Sequence, residues 1–401
     1  MKEKGPKKSF WKNCWLDVIV ITVLTVILSA NINMSKFSPS ILYQSNTSGD
    51  QFTTDLFFRI SNSAKLAHVE PDITLIDIDS IKGRIELANL LSQVLEMKPK
   101  AIGFDVLFED SKDSSEDSTL VGIIGTLREK GHCVYATAYK DSPSSCYPDI
   151  SHSFFMSEAD SLVEGFVNFI YDEKYMNVRQ FRVEKLTNEG IQQSLTYRMV
   201  TSQNEGKEMQ DSVAHYIDYR LSSFNELSAN KLDSSLINNR WVLIGSLSRN
   251  HDNYNTPIGM MPGLIIHAYT LKTLLSKQRI QQASKVWDWI VLFIVSLLSS
   301  IGLVYADFLV FNTKNKIFGL IIQEGFFTVM IVFLQVTLLL LLAYLLFDYC
   351  NVFFSMQSSL NGALFVAALV KVLFAICMAY LSKKNMLKQL SGVFMYYSIN
   401  Q

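Results

Sequence analysis

Residues 240–277 have the sequence RWVLIGSLSRNHDNYNTPIGMMPGLIIHAYTLKTLLSK. This segment opens with a short apolar run at residues 241–244, which is typical of a strand buried on both faces. A polar loop containing His251 and Asp252 follows, and prolines and glycines then turn the chain. From Leu264 onward, apolar residues recur at helical spacing and predict an amphipathic helix that packs on the strand. The strand, the loop and the helix together predict the last βα unit of an α/β domain.

The chain upstream of this unit shows the same alternation of strands and helices. Strands are predicted over residues 73–78, 101–108 and 133–138, with helices over residues 87–95 and 120–127 between them. Further strands are predicted over residues 165–169, 178–184 and 215–219, and a further helix over residues 191–199. Consecutive βαβ units are parallel and right-handed. We therefore expect an α/β domain with a mostly parallel sheet, flanking helices and an antiparallel edge.

Both ends of the chain are apolar, and 49% of all residues are hydrophobic. Four segments are long enough to cross a bilayer, which takes about 20 apolar residues of helix. They are residues 15–34, 286–306, 325–347 and 360–381. Lysines precede the first segment, separate the second from the third and follow the fourth, so the positive-inside rule predicts cytoplasmic termini. The expected order is a cytoplasmic N-terminus (residues 1–14), one span, an extracytoplasmic domain (residues 35–285), three spans and a cytoplasmic tail (residues 382–401).

Residues 15–34 also have the basic start and apolar centre of a signal peptide. Leu28 stands where a small residue belongs if cleavage follows Ala30, which argues against cleavage. An uncleaved first span and a cleaved signal peptide are the two alternatives.

The composition argues against several classes of function. A net charge of -1 with both signs mixed provides no basic surface for nucleic acid. The sequence also lacks the P-loop, the nucleophile elbow, the HExxH zinc motif and the kinase signatures. Residues 382–401 are too few for a cytoplasmic catalytic domain. We therefore expect neither a nucleic-acid partner nor enzymatic activity.

Several motifs occur in one order and resemble the CHASE2 domain family. They are VLIGS at residues 242–246, Asp252, Thr256-Pro257, MPG at residues 261–263 and His267-Ala268. The similarity covers residues 55–279 and includes TDLFFRI at residues 54–60, a short helical segment before the first strand. The resemblance implies an extracytoplasmic sensor module of a bacterial membrane receptor. One departure is the turn after the first strand, where only Arg84 in SIKGR remains of the Trp-Pro-Trp-Pro-Arg-like pattern typical of the family.

Acidic residues follow the predicted strands and are our candidates for a ligand site. Asp77 and Asp79 lie near the end of the first strand, Asp105 lies in the second and Asp252 follows the last. The carboxyl ends of parallel strands form the ligand crevice of an open sheet, and the resemblance implies that Asp77, Asp105 and Asp252 share this rim. Such carboxylates can bind Mg²⁺ or Ca²⁺, or accept hydrogen bonds from a small polar ligand.

The alternative is that these residues are structural. An Asp after a strand often caps a helix or makes a turn, and a buried Asp can pair with Arg84. His267 is expected either to contact the ligand or to be a buried histidine on the face of its helix that packs on the sheet. Asp113, Glu116 and Asp117 are assigned to a solvated loop.

Cys133 and Cys146 both lie in the predicted outer domain. A disulfide between them is plausible in an oxidising periplasm, and two free thiols are the alternative.

Lys371 is an ionisable residue within the fourth predicted span, where an unpaired charge is costly. Glu324 is one candidate counter-charge, together with Asp307 and Asp17. An internal ion pair and contact with another membrane protein are the two interpretations.

The sequence therefore predicts a multi-pass protein of the bacterial inner membrane that senses an extracytoplasmic condition. It would signal through its helices to a separately encoded cytoplasmic or membrane protein. The lipid bilayer and, in a homodimer, a second copy of the chain are its other candidate partners. No cofactor is expected apart from Mg²⁺ or Ca²⁺ at the acidic rim. A scaffold subunit of a membrane complex is the first alternative, and a metal-dependent extracytoplasmic hydrolase is the second.

Overall fold

A computed structural model of the chain describes residues 10–31, 49–64, 68–111, 114–129, 133–140, 146–156, 164–172, 177–203, 214–248, 252–276, 279–312, 326–354, 359 and 362–372. These residues form two compact units. The α/β unit comprises Thr54–Gln281, and the helical unit comprises Met1–Thr53 together with Gln282–Gln401. Each unit is described by itself.

The helices are α1 (Phe10–Asn31), α2 (Gly49–Ala64), α3 (Arg84–Glu96), α4 (Ser114–Glu129), α5 (Leu195–Ser202), α6 (Ser234–Ile237), α7 (Gly263–Leu275), α8 (Lys285–Asn312) and α9 (Phe326–Cys350), followed by the helix Gly362–Val372. The strands are β1 (His68–Asp77), β2 (Ala101–Phe104), β3 (Cys133–Lys140), β4 (Asp149–Ser151), β5 (Glu164–Phe166), β6 (Ile170–Asp172), β7 (Asn177–Phe181), β8 (Glu184–Thr187), β9 (Gly190–Gln193), β10 (His215–Tyr216), β11 (Ser222–Ser228), β12 (Trp241–Gly245), β13 (Asn253–Thr256), β14 (Gly259–Pro262), β15 (Gln281–Gln282) and β16 (Val352–Phe353).

A mostly parallel sheet forms the centre of the α/β unit, as predicted. Its strands run in the order β11-β1-β12-β2-β3, all parallel, with β5 parallel and β4 antiparallel to β3. Strand β12 lies between β1 and β2, and all five of its residues are buried. The apolar run in residues 241–244 is therefore the central strand of the sheet.

Helices cover both faces of this sheet. On one face, the apolar stripes of α3 and α4 pack against Ile76, Phe104 and Ile244. On the other face, α5 approaches β2 so closely that a Cβ on Gly103 would lie 2.4 Å from the sulfur of Met199. The unit is thus a three-layer α/β/α arrangement.

The antiparallel edge predicted for the central sheet is formed by β4. A second, smaller and mostly antiparallel sheet, which was not predicted, combines β6, β7, β10, β13 and β14. The predicted polar loop is partly wrong, because its end forms β13 of the β13–β14 hairpin. Gly259 has φ +128°, a left-handed conformation that suits glycine, and the hydroxyl of Thr256 donates to the Gly259 carbonyl at 2.5 Å. The TPIG segment therefore closes a hairpin.

The helix predicted from residue 191 begins only at Leu195. Ile191 instead lies in β9 and pairs with Leu186 of β8, and its side chain is 66% exposed. Gly190 adopts φ +104° at the start of this strand, which favours the hairpin over a helix.

The helical unit contains two helices long and apolar enough to cross a membrane among the residues described, rather than four. They are Val286–Ala306 and Val329–Cys350, which correspond to the second and third predicted spans. The first prediction corresponds to a shorter described apolar stretch, Cys14–Ser29. The fourth is described only over Gly362–Val372, and its remaining residues lie outside the described part.

Large apolar side chains of α9 point outward in this unit. Val329, Phe333, Leu334 and Leu338 are each more than 60% exposed. A helix that is apolar on all sides and exposed in a monomer is typical of a membrane span. Inside the unit, small polar side chains join the helices: Thr22 donates to Ser300 at 3.2 Å, and Ser299 donates to Gln335 at 2.7 Å.

Candidate functional site

The predicted acidic rim lies at the carboxyl ends of three adjacent strands. Asp77 ends β1 and pairs with Gly245 at the end of β12. Asp105 follows β2 directly, and its amide donates to the Ile244 carbonyl at 2.8 Å. Because neighbouring strands are about 4.8 Å apart, Asp77 and Asp105 are separated by two strand spacings, about 10 Å.

Asp77 and Asp79 stabilise the backbone of this rim. One oxygen of Asp77 accepts the amides of Asp79 at 3.1 Å and of Leu247 at 3.2 Å, which joins the loops that follow β1 and β12. Asp79 accepts the hydroxyl of Ser246 at 2.6 Å. The structural interpretation of these two residues is therefore supported.

Asp105, Asp252 and His267 form a cluster on the other side of Gly245, which we call the Asp–His cluster. The Nε2 atom of His267 lies 3.9 Å from Oδ2 of Asp105, and the two side chains are 7% and 14% exposed. Asp252 has a left-handed backbone (φ +55°), and its carboxylate lies against Gly263, where a Cβ would come within 2.4 Å of Oδ2. The ring of Phe169 covers His267 at a centroid distance of 4.5 Å.

Burial shifts both titratable groups of this cluster toward their neutral forms. Burial, and to a smaller extent the charge of Asp252, raises the pKa of Asp105 to about 7. Burial lowers the pKa of His267 to about 3, so its imidazole is neutral at physiological pH. Near pH 7 the carboxyl group of Asp105 is therefore present in both protonation states. It can donate a hydrogen bond when it is protonated and can only accept one when it is ionised. The cluster can therefore bind a proton or hydrogen-bond a polar ligand.

The remaining predicted ligand residue, Arg84, lies away from this cluster at the start of α3. Its guanidinium is paired with Asp117 of α4 and donates to the Asp110 carbonyl at 2.6 Å. It also stacks over the rings of Phe108 at 5.3 Å and Phe154 at 4.9 Å. Asp117 is 5% exposed, so its assignment to a solvated loop is wrong. The helical register places it inward, facing Arg84.

An open cleft of about 540 Å³ lies beside Arg84, between the loops after β1 and β2 and the first turn of α3. Its apolar wall includes Ile78, Ile81 and Phe108, and its charged rim includes Lys82 and Glu109. Sequence reasoning missed this cleft, although the apolar residues within VLFED at residues 106–110 are an available indication. Of the predicted ligand residues, Arg84 alone lines it.

Comparison with protein families identifies the chain. A model of the CHASE2 domain matches residues 21–303, which is most of the sequence. The protein belongs to the CHASE2 domain family. CHASE2 domains are sensor modules, so a sensor domain makes up the α/β unit. No curated protein and no solved structure matched the chain.

The CHASE2-like motifs coincide with the contacts described above. Gly245 of VLIGS leaves room for Asp105 and Leu264, whose atoms would lie within 3.2 Å of a Cβ. Gly263 of MPG leaves room for the carboxylate of Asp252, and His267 follows one helical turn later. These motifs therefore build the Asp–His cluster.

The donor set does not fit a metal ion. Asp77 bonds to backbone amides, Asp105 is largely desolvated, and Asp252 packs on Gly263. Across the described residues, no three His, Cys, Asp or Glu side chains are arranged to hold a metal ion. His251 lies outside the described part. The acidic rim therefore offers no support for Mg²⁺ or Ca²⁺ binding.

Of the two alternatives for Cys133 and Cys146, the structure has the two free thiols. Cys133 is buried at the start of β3, whereas β4 pairs with the far end of that strand, at Ala138–Lys140. Cys146 directly precedes β4 and lies near that far end. The two residues are thus separated by most of an extended strand, beyond the roughly 7 Å Cα separation that a disulfide allows.

Lys371 lies half-buried on the helix Gly362–Val372. Glu324, its proposed counter-charge, lies outside the described residues. The internal pair and the contact with another membrane protein both remain predictions.

Proposed function

We propose that this protein is a membrane-anchored receptor whose CHASE2 domain senses an extracytoplasmic condition and signals through its helices to a separate protein. The observation that carries the proposal is the CHASE2 match over residues 21–303, which begins within α1 and ends within α8 and so includes part of each flanking helix. Four spans in the bacterial inner membrane, with cytoplasmic termini, belong to this proposal.

Helix α2 is the proposed input side of the coupling, because its domain-facing residues are held by charged and polar contacts. Arg179 of β7 makes two hydrogen bonds to Asp55, at 2.7 and 2.9 Å. Asn62 donates to the Tyr219 carbonyl at 2.9 Å and accepts the Leu221 amide at 2.7 Å. These contacts make α2 part of the α/β unit at the point where the chain arrives from α1.

The β13–β14 hairpin connects α2 to the Asp–His cluster. Arg59 of α2 donates to the Pro257 carbonyl at the hairpin turn, at 3.1 Å. The same hairpin starts directly after Asp252 and ends at Gly263, where Asp252 packs. A change at Asp252 can therefore reach α2 through the backbone of the hairpin and the hydrogen bond from Arg59 to Pro257.

The chain segment that leads from the α/β unit to the first C-terminal span is also short. Helix α7 carries His267 and ends at Leu275, and α8 begins at Lys285. Because the segment between α7 and α8 is short, a shift of α7 is expected to move the start of the first C-terminal span.

Thiol labelling tests the topology that this proposal requires. Cys146 is exposed and free, so it can report on the α/β unit without an inserted tag. In a chain that keeps Cys146 alone, we expect a membrane-impermeant maleimide to label intact spheroplasts. In a cysteine-free chain carrying Lys383→Cys, labelling is expected only after permeabilisation. The reverse pattern would place the domain in the cytoplasm and overturn the receptor proposal.

Photo-crosslinking separates a receptor from the scaffold alternative. A crosslinking amino acid at Phe333, which is 71% exposed on α9, is expected to capture a neighbouring protein, whereas the same group at the buried Val304 serves as the control. A receptor is expected to change its captured neighbour, or the yield, when the external medium changes. A constant stoichiometric complex in every medium would favour the scaffold.

A further inference from the structure

His152 bridges two glutamates on the edge of the central sheet. Its Nδ1 lies 2.5 Å from Oε2 of Glu164 on β5, and its Nε2 lies 3.0 Å from Oε2 of Glu189 in the turn between β8 and β9. The Glu164 side chain is 2% exposed, while His152 and Glu189 are 32% and 48% exposed. Solvent thus reaches one end of the bridge and not the other.

The protonated imidazole satisfies this arrangement better than the neutral one. A neutral histidine donates from one nitrogen only, so one of its two carboxylate contacts would become a contact between lone pairs. The second oxygen of Glu164 is buried and has no hydrogen-bond partner within the described part of the chain. Loss of the His152 charge would leave this carboxylate buried without a counter-charge, with the backbone hydrogen bond from Ser153 as its remaining stabilisation, which is costly.

The pKa shifts of His152 and Glu164 agree with this geometry. Burial opposes protonation of His152, but its hydrogen bonds to Glu164 and Glu189 and their charges outweigh this and raise its pKa above the ordinary 6.5. Burial also raises the pKa of Glu164, against the opposing effect of His152. Both groups hold protons more tightly in the folded state. The contribution of His152 to stability is therefore fully present below its ordinary pKa and is lost as pH rises through its raised folded pKa, and the contribution of Glu164 is lost as pH rises through its own raised pKa.

The other charged groups on the surrounding elements contact residues outside the His152 bridge. Asp149 of β4 accepts from Asn188, Lys185 of β8 lies over the Tyr139 ring, and Glu109 pairs with Lys140. Further away, Glu184 accepts from Gln193, which in turn accepts from Arg198.

The bridge is mechanically connected to the helical layer. Gly165, next to Glu164, packs so closely on α5 that a Cβ there would lie 2.6 Å from the Cα of Leu195. The β8–β9 hairpin that carries Glu189 continues through Ser194 directly into α5, whose start it fixes. Helix α5 packs in turn on α7, which precedes α8. These contacts form a continuous path from the hairpin to the end of the domain that precedes α8.

We propose that His152, Glu164 and Glu189 form a proton-binding site that fastens the β8–β9 hairpin to β5 and makes external pH a stimulus of the receptor. This proposal rests on the proposed receptor function for its biological meaning. The site itself is a property of the folded chain.

The test measures hydrogen exchange of the 184–193 hairpin in the full chain, held in lipid nanodiscs, between pH 5 and 9. Rates are corrected for the intrinsic pH dependence of exchange. The wild-type hairpin is expected to lose protection as pH rises, with a midpoint above 6.5. His152→Gln is expected to abolish this transition, and His215→Gln, on the second sheet, is expected to retain it. A wild-type hairpin without a transition, or an unchanged transition in His152→Gln, overturns the proposal.

Glu189→Gln is a second test that does not depend on the folding of His152→Gln, because Glu189 is half-exposed in a turn. It is expected to fold and to lower the midpoint, since one carboxylate that favours the imidazolium is lost. An unchanged midpoint counts against the site. A normal transition combined with cytoplasmic labelling of Cys146 would overturn the receptor function and leave the proton site standing.

Discussion

Arg84→Met is expected to destabilise the α/β unit by about 3–5 kcal/mol, the usual cost of removing one partner of a buried ion pair. Methionine keeps the apolar stem that packs on Phe108 and Phe154, so the change isolates the charge. Asp117, whose side chain is 7% exposed, is left as a buried carboxylate without its cation. For a unit of this size the loss corresponds to a fall in melting temperature of roughly 10 °C, measurable by differential scanning fluorimetry of the full chain.

Arg240→Met is the matched control for this variant. Arg240 also pairs with an aspartate, Asp72, at 2.7 Å, but the two side chains are 31% and 71% exposed. An exposed pair contributes roughly 0–1 kcal/mol, so little change is expected. The double variant Arg84→Met with Asp117→Asn should recover part of the loss. Equal melting temperatures for Arg84→Met and Arg240→Met would contradict the assignment of Arg84 as a buried structural cation.

Hydrophobic periodicity is sufficient to predict the parallel core of the α/β unit. The apolar stripes of α3 and α4 and the continuous apolar run of β12 are direct consequences of packing on one face or between two layers. The rim follows from the same reasoning, because parallel strands end on one side of the sheet. Asp77 lies at the end of β1 as predicted, whereas Asp105 directly follows β2 instead of lying within it.

The features that sequence reasoning missed depend on tertiary contacts. Strand β11 has the polar sequence SSFNELS, and it is a strand because it pairs along most of β1. Strand β13, with the sequence NYNT, is likewise polar, and its pairing with β14 is set by the left-handed Gly259 at the turn. The bridge at His152 joins residues that are 12 and 37 positions apart, in a region with weak local patterns. Contacts between residues this far apart in the sequence leave no helical or strand periodicity, so the sequence pattern does not predict them.

The number of spans in the structure is counted over the described residues. Hydropathy alone predicts four spans, whereas the described helices reach spanning length twice. In α1, Asp17, Thr22 and Thr25 are buried within the helical unit, so this helix is less uniformly apolar than α9. Polar groups that pack between helices are common in membrane bundles. The two shorter helices are therefore compatible with the four-span arrangement that we propose.

Asp105→Asn is expected to stabilise the α/β unit at pH 8 and to have little effect at pH 4. Folding raises the pKa of Asp105 from 3.8 to about 7, so the wild-type domain loses stability as pH rises through this window. Asparagine has nearly the same shape and cannot ionise, which removes a cost on the order of 2–4 kcal/mol, taking 1.36 kcal/mol per pKa unit and allowing for 14% exposure of the side chain. The two proteins differ only at position 105, so the difference between their melting temperatures at each pH reports the ionisation of Asp105 and its effect on His267. Asp79→Asn removes a carboxylate from the same rim, and an equal gain in stability there would indicate general charge repulsion instead.

A carboxylate that is kept at such a cost in stability is typical of a functional site. The stabilised Asp105→Asn variant is therefore also expected to lose its response to the medium in the crosslinking experiment. A variant that is stabilised and still responsive would restrict Asp105 to a structural role.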